Sequence, residues 1–146
     1  MSEKKAPPKV VGRSVLLIED DPATREAMTA LLSGAGLRVI SSDEGRKALE
    51  LAAIVRPAII LLDLVTEGMS GWEFLERRRD EPALAGIPVV VVTGSTENLP
   101  RTAAAILRKP VNPNELLATI RALLRNATEG VAPRRPGIPV SRTRLQ

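Results

Sequence analysis

The chain has no cysteine, no histidine and no tyrosine among its 146 residues, and Trp72 and Phe74 are its only aromatics. Without cysteine there is no disulfide framework and no thiolate metal site, a composition that suits a reducing cytosol. Without histidine the chain lacks the commonest general base, the commonest zinc ligand and any phosphohistidine of its own. No apolar run approaches the roughly 20 residues of a membrane span. The N-terminus (MSEKKAPPKVV) also lacks the apolar stretch of a signal peptide. A soluble, cytoplasmic protein is the expectation. No glycine-rich loop follows the first apolar run, which argues against a nucleotide-binding α/β domain.

The formal charge of +4 is unevenly spread. Residues 13–126 carry 14 Lys/Arg against 15 Asp/Glu, a net −1, whereas residues 1–12 and 127–146 carry +2 and +3. The basic character belongs to the ends, so a folded nucleic-acid-binding surface is not indicated. The ends are also where proline, glycine and arginine collect without a core pattern. Residues 1–12 therefore read as a disordered leader, 13–126 as one domain and 127–146 as a basic, disordered tail. Arg134, Arg135, Arg142 and Arg144 of the tail are too few and too scattered for firm binding to an acidic partner at physiological salt.

Within 13–126, short aliphatic runs alternate with stretches of helical period. Strands are expected at 14–18, 37–41, 58–62, 87–92 and 104–108, each too short and too uniformly apolar for an ordinary helix. Helices are expected at 22–35, where Pro22 follows an acidic cap and Gly34 and Gly36 end the run, and at 45–55, ended by Arg56-Pro57. A third is expected at 72–80, with Trp72 and Leu75 as core contacts. The last follows Asn112-Pro113, with Leu116, Leu117, Ile120, Leu123 and Leu124 as its apolar face. Arg77-Arg78-Arg79 is most simply a solvated helix face. Residues 94–103, broken by Pro100, are too few for a full helix, so the helix between the fourth and fifth strands is shortened or missing. Right-handed crossovers then give a flavodoxin-like, doubly wound, five-stranded parallel sheet of order 2-1-3-4-5.

In such a sheet the carboxyl ends of the strands share one rim, where ligands bind. The strand ends here carry Glu19 and Asp20, then Asp63, Thr93 and Lys109. Each alone has a plain alternative: acids decorating a helix N-terminus, a solvated loop carboxylate, an ordinary strand-end Thr, a turn Lys-Pro. Their joint placement is the signal. Two adjacent carboxylates repel, and a hard cation such as Mg2+ relieves that repulsion. Mg2+ held by Asp20 and Asp63 would neutralise an incoming phosphoryl group, with Lys109 and Thr93 taking its other oxygens. A carboxylate can serve as nucleophile and form an acyl phosphate.

The segments LLIEDDPATR, IILLDLVTEGMSGWEFL, VVVVTGS and ILRKPVNPNELL together resemble the receiver domains of two-component response regulators, over residues 13–125. That resemblance implies Asp63 as phosphoacceptor, Glu19 and Asp20 as the acid pair, Thr93 as switch hydroxyl, and Lys109 followed by a cis Pro110. It implies a metal site of Glu19, Asp20, Asp63 and the backbone carbonyl of Val65, occupied by Mg2+. It also implies a sensor histidine kinase or phosphotransfer protein as donor, and only self-directed phosphotransfer and dephosphorylation in place of enzyme turnover. Three features depart from the family pattern: Glu67 in place of a proline, Ile106 in place of an aromatic, and only fifteen residues between Thr93 and Lys109. The last argues against the usual dimer face and for a monomer or a different interface.

A single-domain receiver, acting as a phosphorylation-dependent interaction switch or relay carrier, is the resulting expectation, unless the chain is a fragment of a longer regulator. Two rivals stand beside it. An aspartyl-phosphate phosphatase would need an acid two residues after Asp63, where Val65 stands. A pseudo-receiver would bind partners without phosphorylation, a reading that Glu67 and Ile106 leave open.

Overall fold

The computed structural model describes residues 14–64, 70–95 and 98–128. Strands β1 (Ser14–Ile18), β2 (Arg38–Ser42), β3 (Ile59–Asp63), β4 (Val89–Thr93) and β5 (Ala105–Arg108) form one sheet, in the order β2-β1-β3-β4-β5. All four pairings are parallel. Every residue of β1, β3 and β4 is buried, whereas the edge strands β2 and β5 are partly exposed. The unbroken Val/Ile/Leu runs of the three central strands follow from that position, because helices cover both of their faces.

The helices are α1 (Pro22–Gly34), α2 (Gly45–Val55), α3 (Gly71–Arg79), α4 (Pro82–Ala85) and α5 (Pro113–Thr128). Side-chain alternation along the strands divides the core in two. Val15, Leu17, Ile59, Leu61, Val90 and Val92 pack with Met28 and Leu32 of α1 and with Leu116, Ile120 and Leu124 of α5. On the opposite face Leu16, Ile18, Ile60, Leu62, Val89 and Val91 meet α2 through Ala48 and Ala52, and α3 through Phe74 and Leu75. Burying one Leu or Phe side chain contributes roughly 1.5–3 kcal/mol. The two layers therefore hold the rim in place from both sides.

Strands and helices start and stop within two residues of the expected positions. The doubly wound order is the one the alternation implies. Residues 94–95 and 98–104 contain no helix; in this part of the β4–β5 connection Asn98 has φ 54°, Pro100 is buried and the chain turns at 101–102. Arg56 ends α2 in the left-handed conformation (φ 54°), one of the options left when Pro57 excludes the helical one.

Two expectations are corrected. Trp72 is not a core contact: it is 43% exposed. The inward positions of α3 are Gly71, Phe74, Leu75 and Arg78, spaced i, i+3, i+4 and i+7, and Trp72 falls off that face. Arg78 correspondingly is not a solvated residue. Only 8% of it is exposed, and its guanidinium donates to the carbonyls of Ala85 (2.9 Å) and Ile87 (2.6 Å). The aliphatic stem occupies the apolar stripe while the head ties down the turn between α4 and β4. The short helix α4 has no signature in the sequence, since four residues carry no periodicity.

Candidate functional site

Parallel pairing brings the ends of β1, β3, β4 and β5 to one edge of the sheet. Ile18 pairs with Leu62, Asp63 with Val92, and Thr93 with Arg108. The residues just beyond, Glu19, Asp20 and Lys109, therefore lie beside Asp63 and Thr93. Backbone hydrogen bonds extend the ladder past the strands: the Glu19 N–H donates to the Ser42 carbonyl (3.0 Å) and the Lys109 N–H to the Thr93 carbonyl (2.9 Å). Lys109 and Pro110 are joined by a cis peptide bond.

Glu19 and Asp63 are buried, and Asp20 is half-buried. One carboxylate oxygen from each of the three lies within 4.8 Å of the others. The Lys109 Nζ donates to Asp63 Oδ2 at 3.1 Å and stands 3.9 Å from Glu19 Oε1. Glu19 Oε2 accepts the N–H of Asp21 at 3.2 Å. Asp21 faces away from this cluster and caps α1, accepting from the Thr24 N–H (2.9 Å) and hydroxyl (2.6 Å). The expected division of the acidic run therefore holds geometrically: two acids enter the cluster and the third starts the helix.

The electrostatics are those of three carboxylates sharing one cation. Burial pushes the Glu19 carboxyl up to about 7, and the neighbouring charge of Asp63 adds to it, against the opposing pull of the Asp21 N–H and Lys109. For Lys109, burial works against the ammonium, but the hydrogen bond and charge of Asp63 and the charges of Glu19 and Asp20 outweigh it and raise its pKa. The Asp21 carboxyl is held low by its two hydrogen bonds from Thr24.

The donor set suits a hard divalent cation. Two oxygens each about 2.1 Å from a Mg2+ ion are at most about 4.2 Å apart. The three oxygens, within 4.8 Å of one another, stand close to that limit. One ammonium leaves the three acids short of positive charge, which a Mg2+ ion held by Glu19, Asp20 and Asp63 would supply.

Other residues shape the rim. The Arg25 guanidinium donates to the Glu19 carbonyl at 2.8 Å, fixing the β1–α1 turn; no sequence spacing announces that contact. The Thr93 hydroxyl accepts the Ser95 N–H at 3.1 Å and so holds the start of the β4–β5 connection. Gly71 sits hard against the chain that follows Asp63. A Cβ there would lie 2.6 Å from Leu64 Cα and 3.0 Å from the Asp63 carbonyl oxygen, so only glycine admits α3 this closely. Val65 and Glu67 lie outside the described residues, as do the expected leader and the tail arginines.

The profile of the response regulator receiver domain matches residues 15–121. The DNA-binding response regulator MtrA of Mycolicibacterium smegmatis is 33% identical over 117 residues, covering 76% of this chain and 50% of that protein. The transcriptional regulatory protein GltR of Pseudomonas aeruginosa is 34% identical over 122 residues, covering 80% and 50%. The chain thus spans about half the length of these curated relatives. Among solved structures, a putative response regulator from Chloroflexus aurantiacus superimposes with a TM-score of 0.71 at 26% identity, covering 77% of this chain and 98% of that one. The chemotaxis response regulator CheY4 of Vibrio cholerae gives 0.69 at 28%, covering 76% and 98%.

Proposed function

The chain belongs to the response regulator receiver domain family, and from that premise we propose that Asp63 is its phosphoacceptor. We assign Glu19, Asp20, Asp63 and the Val65 carbonyl to Mg2+, and Thr93 and Lys109 to the phosphoryl oxygens. The family implies a histidine kinase or phosphotransfer protein as donor. These 146 residues hold no histidine, so the donor group lies outside them.

An Asp63 carboxylate oxygen attacks phosphorus. The P–N bond to the donor imidazole breaks, its electron pair stays on nitrogen, and an acyl phosphate forms. When bound, Mg2+ supplies positive charge to the phosphoryl oxygens and an oxygen-ligand frame that orients them. Lys109, already 3.1 Å from Asp63, donates to a phosphoryl oxygen as a fixed point charge. The Thr93 hydroxyl gives up the Ser95 N–H as its partner and turns to the phosphate, which carries the signal into the β4–β5 connection. No acid stands two residues after Asp63, so the acyl phosphate persists as a signalling state rather than a turnover intermediate.

The observation that carries this reading is the buried Asp63 flanked by two carboxylates and an ammonium at the carboxyl rim of a parallel sheet. In the cell the domain works in the cytoplasm as an interaction switch or relay carrier, as a monomer or through an interface other than the usual one. Incubation with a labelled, autophosphorylated histidine kinase tests the assignment. Label is expected on the wild type and not on Asp63→Asn; equal labelling of both would overturn it.

A further inference from the structure

A groove of about 230 Å3 lies between α3 and the β4–β5 connection. Trp72 and Leu75 of α3 form one wall, and Pro100 and Thr102 of the connection form the other. Among the described residues of the β4–β5 connection there is no helix, and Pro100, Arg101 and Thr102 of that connection line the groove opposite α3. Its wall includes the most exposed aromatic surface of the chain, since Phe74 is fully buried and Trp72 is 43% exposed.

Charge marks what fits there. Arg79 and Arg101 stand exposed at the rim, against the single carboxylate of Glu76. Neither guanidinium has an ion-pair partner among the described residues, whereas Arg77 on the adjacent face is paired with Glu73. Arg78 also lines the groove, but its donors are engaged by the Ala85 and Ile87 carbonyls. The space is smaller than the roughly 300–1,000 Å3 of a drug-sized ligand site, and it suits one or two side chains. The chain's own ends, at +2 and +3, match the groove in sign and are repelled by it. A nucleic acid calls for a longer cationic track than two arginines on a body of net −1.

We propose that this groove docks an acidic segment of a partner protein, which places an aliphatic or aromatic side chain against Trp72 and Leu75 and carboxylates on Arg79 and Arg101. Pro100 to Thr102 continue the connection that begins at Thr93, whose hydroxyl holds the Ser95 N–H. A movement of Thr93 on phosphorylation of Asp63 would pull on the same connection that lines the groove, and the occupant would then read the state of Asp63. That last link rests on the receiver reading above; the groove itself does not.

The full chain, labelled with 15N, is titrated with a synthetic peptide of Glu, Asp and Leu and with a twin carrying Lys at each acidic position. The Trp72 indole N–H is the reporter, unambiguous because the chain has one tryptophan. The acidic peptide is expected to move that signal saturably and the basic twin to leave it in place. Arg79→Glu with Arg101→Glu, both at exposed positions, is expected to weaken the acidic peptide about ten-fold and to admit the basic one. No movement with the acidic peptide, equal response to both peptides, movement with protein concentration alone, or preference for a DNA duplex would each overturn the proposal. Repeating the titration after treatment with a small acyl phosphate, with phosphorylation read separately by mass, separates the two readings. Phosphoryl gain without a peptide response sinks the groove alone. A peptide response without phosphoryl gain from either the acyl phosphate or a phosphorylated histidine kinase keeps the groove and sinks the assignment of Asp63 as phosphoacceptor.

Discussion

Glu19 makes the cleanest quantitative test of how the acidic cluster is held together. Its carboxyl rises from 4.5 to about 7 on folding, first through burial and then through the charge of Asp63. Between those values the folded state keeps a proton that the unfolded state has released, so stability falls as pH rises through the window. A shift of that size corresponds to roughly 3 kcal/mol, fully present below about pH 4.5 and fully lost above about pH 7. Asp21 and Asp43, both held low, act in the opposite direction and below this window. Lys109 contributes stability that is lost only above its ordinary 10.5. The assay is urea denaturation from about pH 5 to about pH 8, in the presence of a chelator or of saturating Mg2+, with stability from linear extrapolation. The metal-free wild type is expected to lose up to about 3 kcal/mol across that range. With Mg2+ the slope should flatten, because the cation favours the ionised carboxylate and binds only the folded state. Glu19→Gln should remove most of the slope and most of the response to Mg2+. A metal-free wild type whose stability is flat or rises with pH, or a variant that keeps the slope, would refute the account of the cluster.

Three further outcomes follow from named contacts. Gly71→Ala places a methyl 2.6 Å from Leu64 Cα, so α3 must shift, at a cost of about 1–3 kcal/mol in denaturation, with slower phosphoryl uptake from the displaced Asp63 segment. Arg78→Met keeps the buried stem but strips the Ala85 and Ile87 carbonyls of their donor, costing about 1–3 kcal/mol; a change within error would mean the guanidinium is dispensable. Lys109→Met removes the only cation within 4 Å of Asp63 and Glu19 among the described residues. Its side chain is 38% exposed, so the stability loss should stay near 1 kcal/mol, while single-turnover phosphorylation slows by roughly one to two orders of magnitude.

The strands, their order and the coincidence of the rim residues were legible because burial on both faces writes itself as unbroken aliphatic runs. The acids, Thr93 and Lys109 stand at the ends of those runs. The shortened β4–β5 connection was legible by counting: fifteen residues, one of them Pro100 in the middle, do not hold both a helix and a strand. What could not be read is what tertiary contact decides. Trp72 looked like core because large aromatics usually are, but the α3 stripe runs through Gly71, Phe74, Leu75 and Arg78 and leaves it outside. Arg78 looked like surface because it sits in a triple-arginine run; only the carbonyls of Ala85 and Ile87, seven and nine residues on, make it an interior residue. Arg25 likewise shows its partner, the Glu19 carbonyl, only in three dimensions.

The central claim is that Asp63 accepts a phosphoryl group in a Mg2+-dependent way, and intact mass tests it directly. The full chain is incubated with a small acyl-phosphate donor and, separately, with a phosphorylated histidine kinase, with and without Mg2+, beside Asp63→Asn. The account predicts a gain of one phosphoryl group with Mg2+ only, absent in the variant. No gain from either donor, or an undiminished gain in Asp63→Asn, would contradict it.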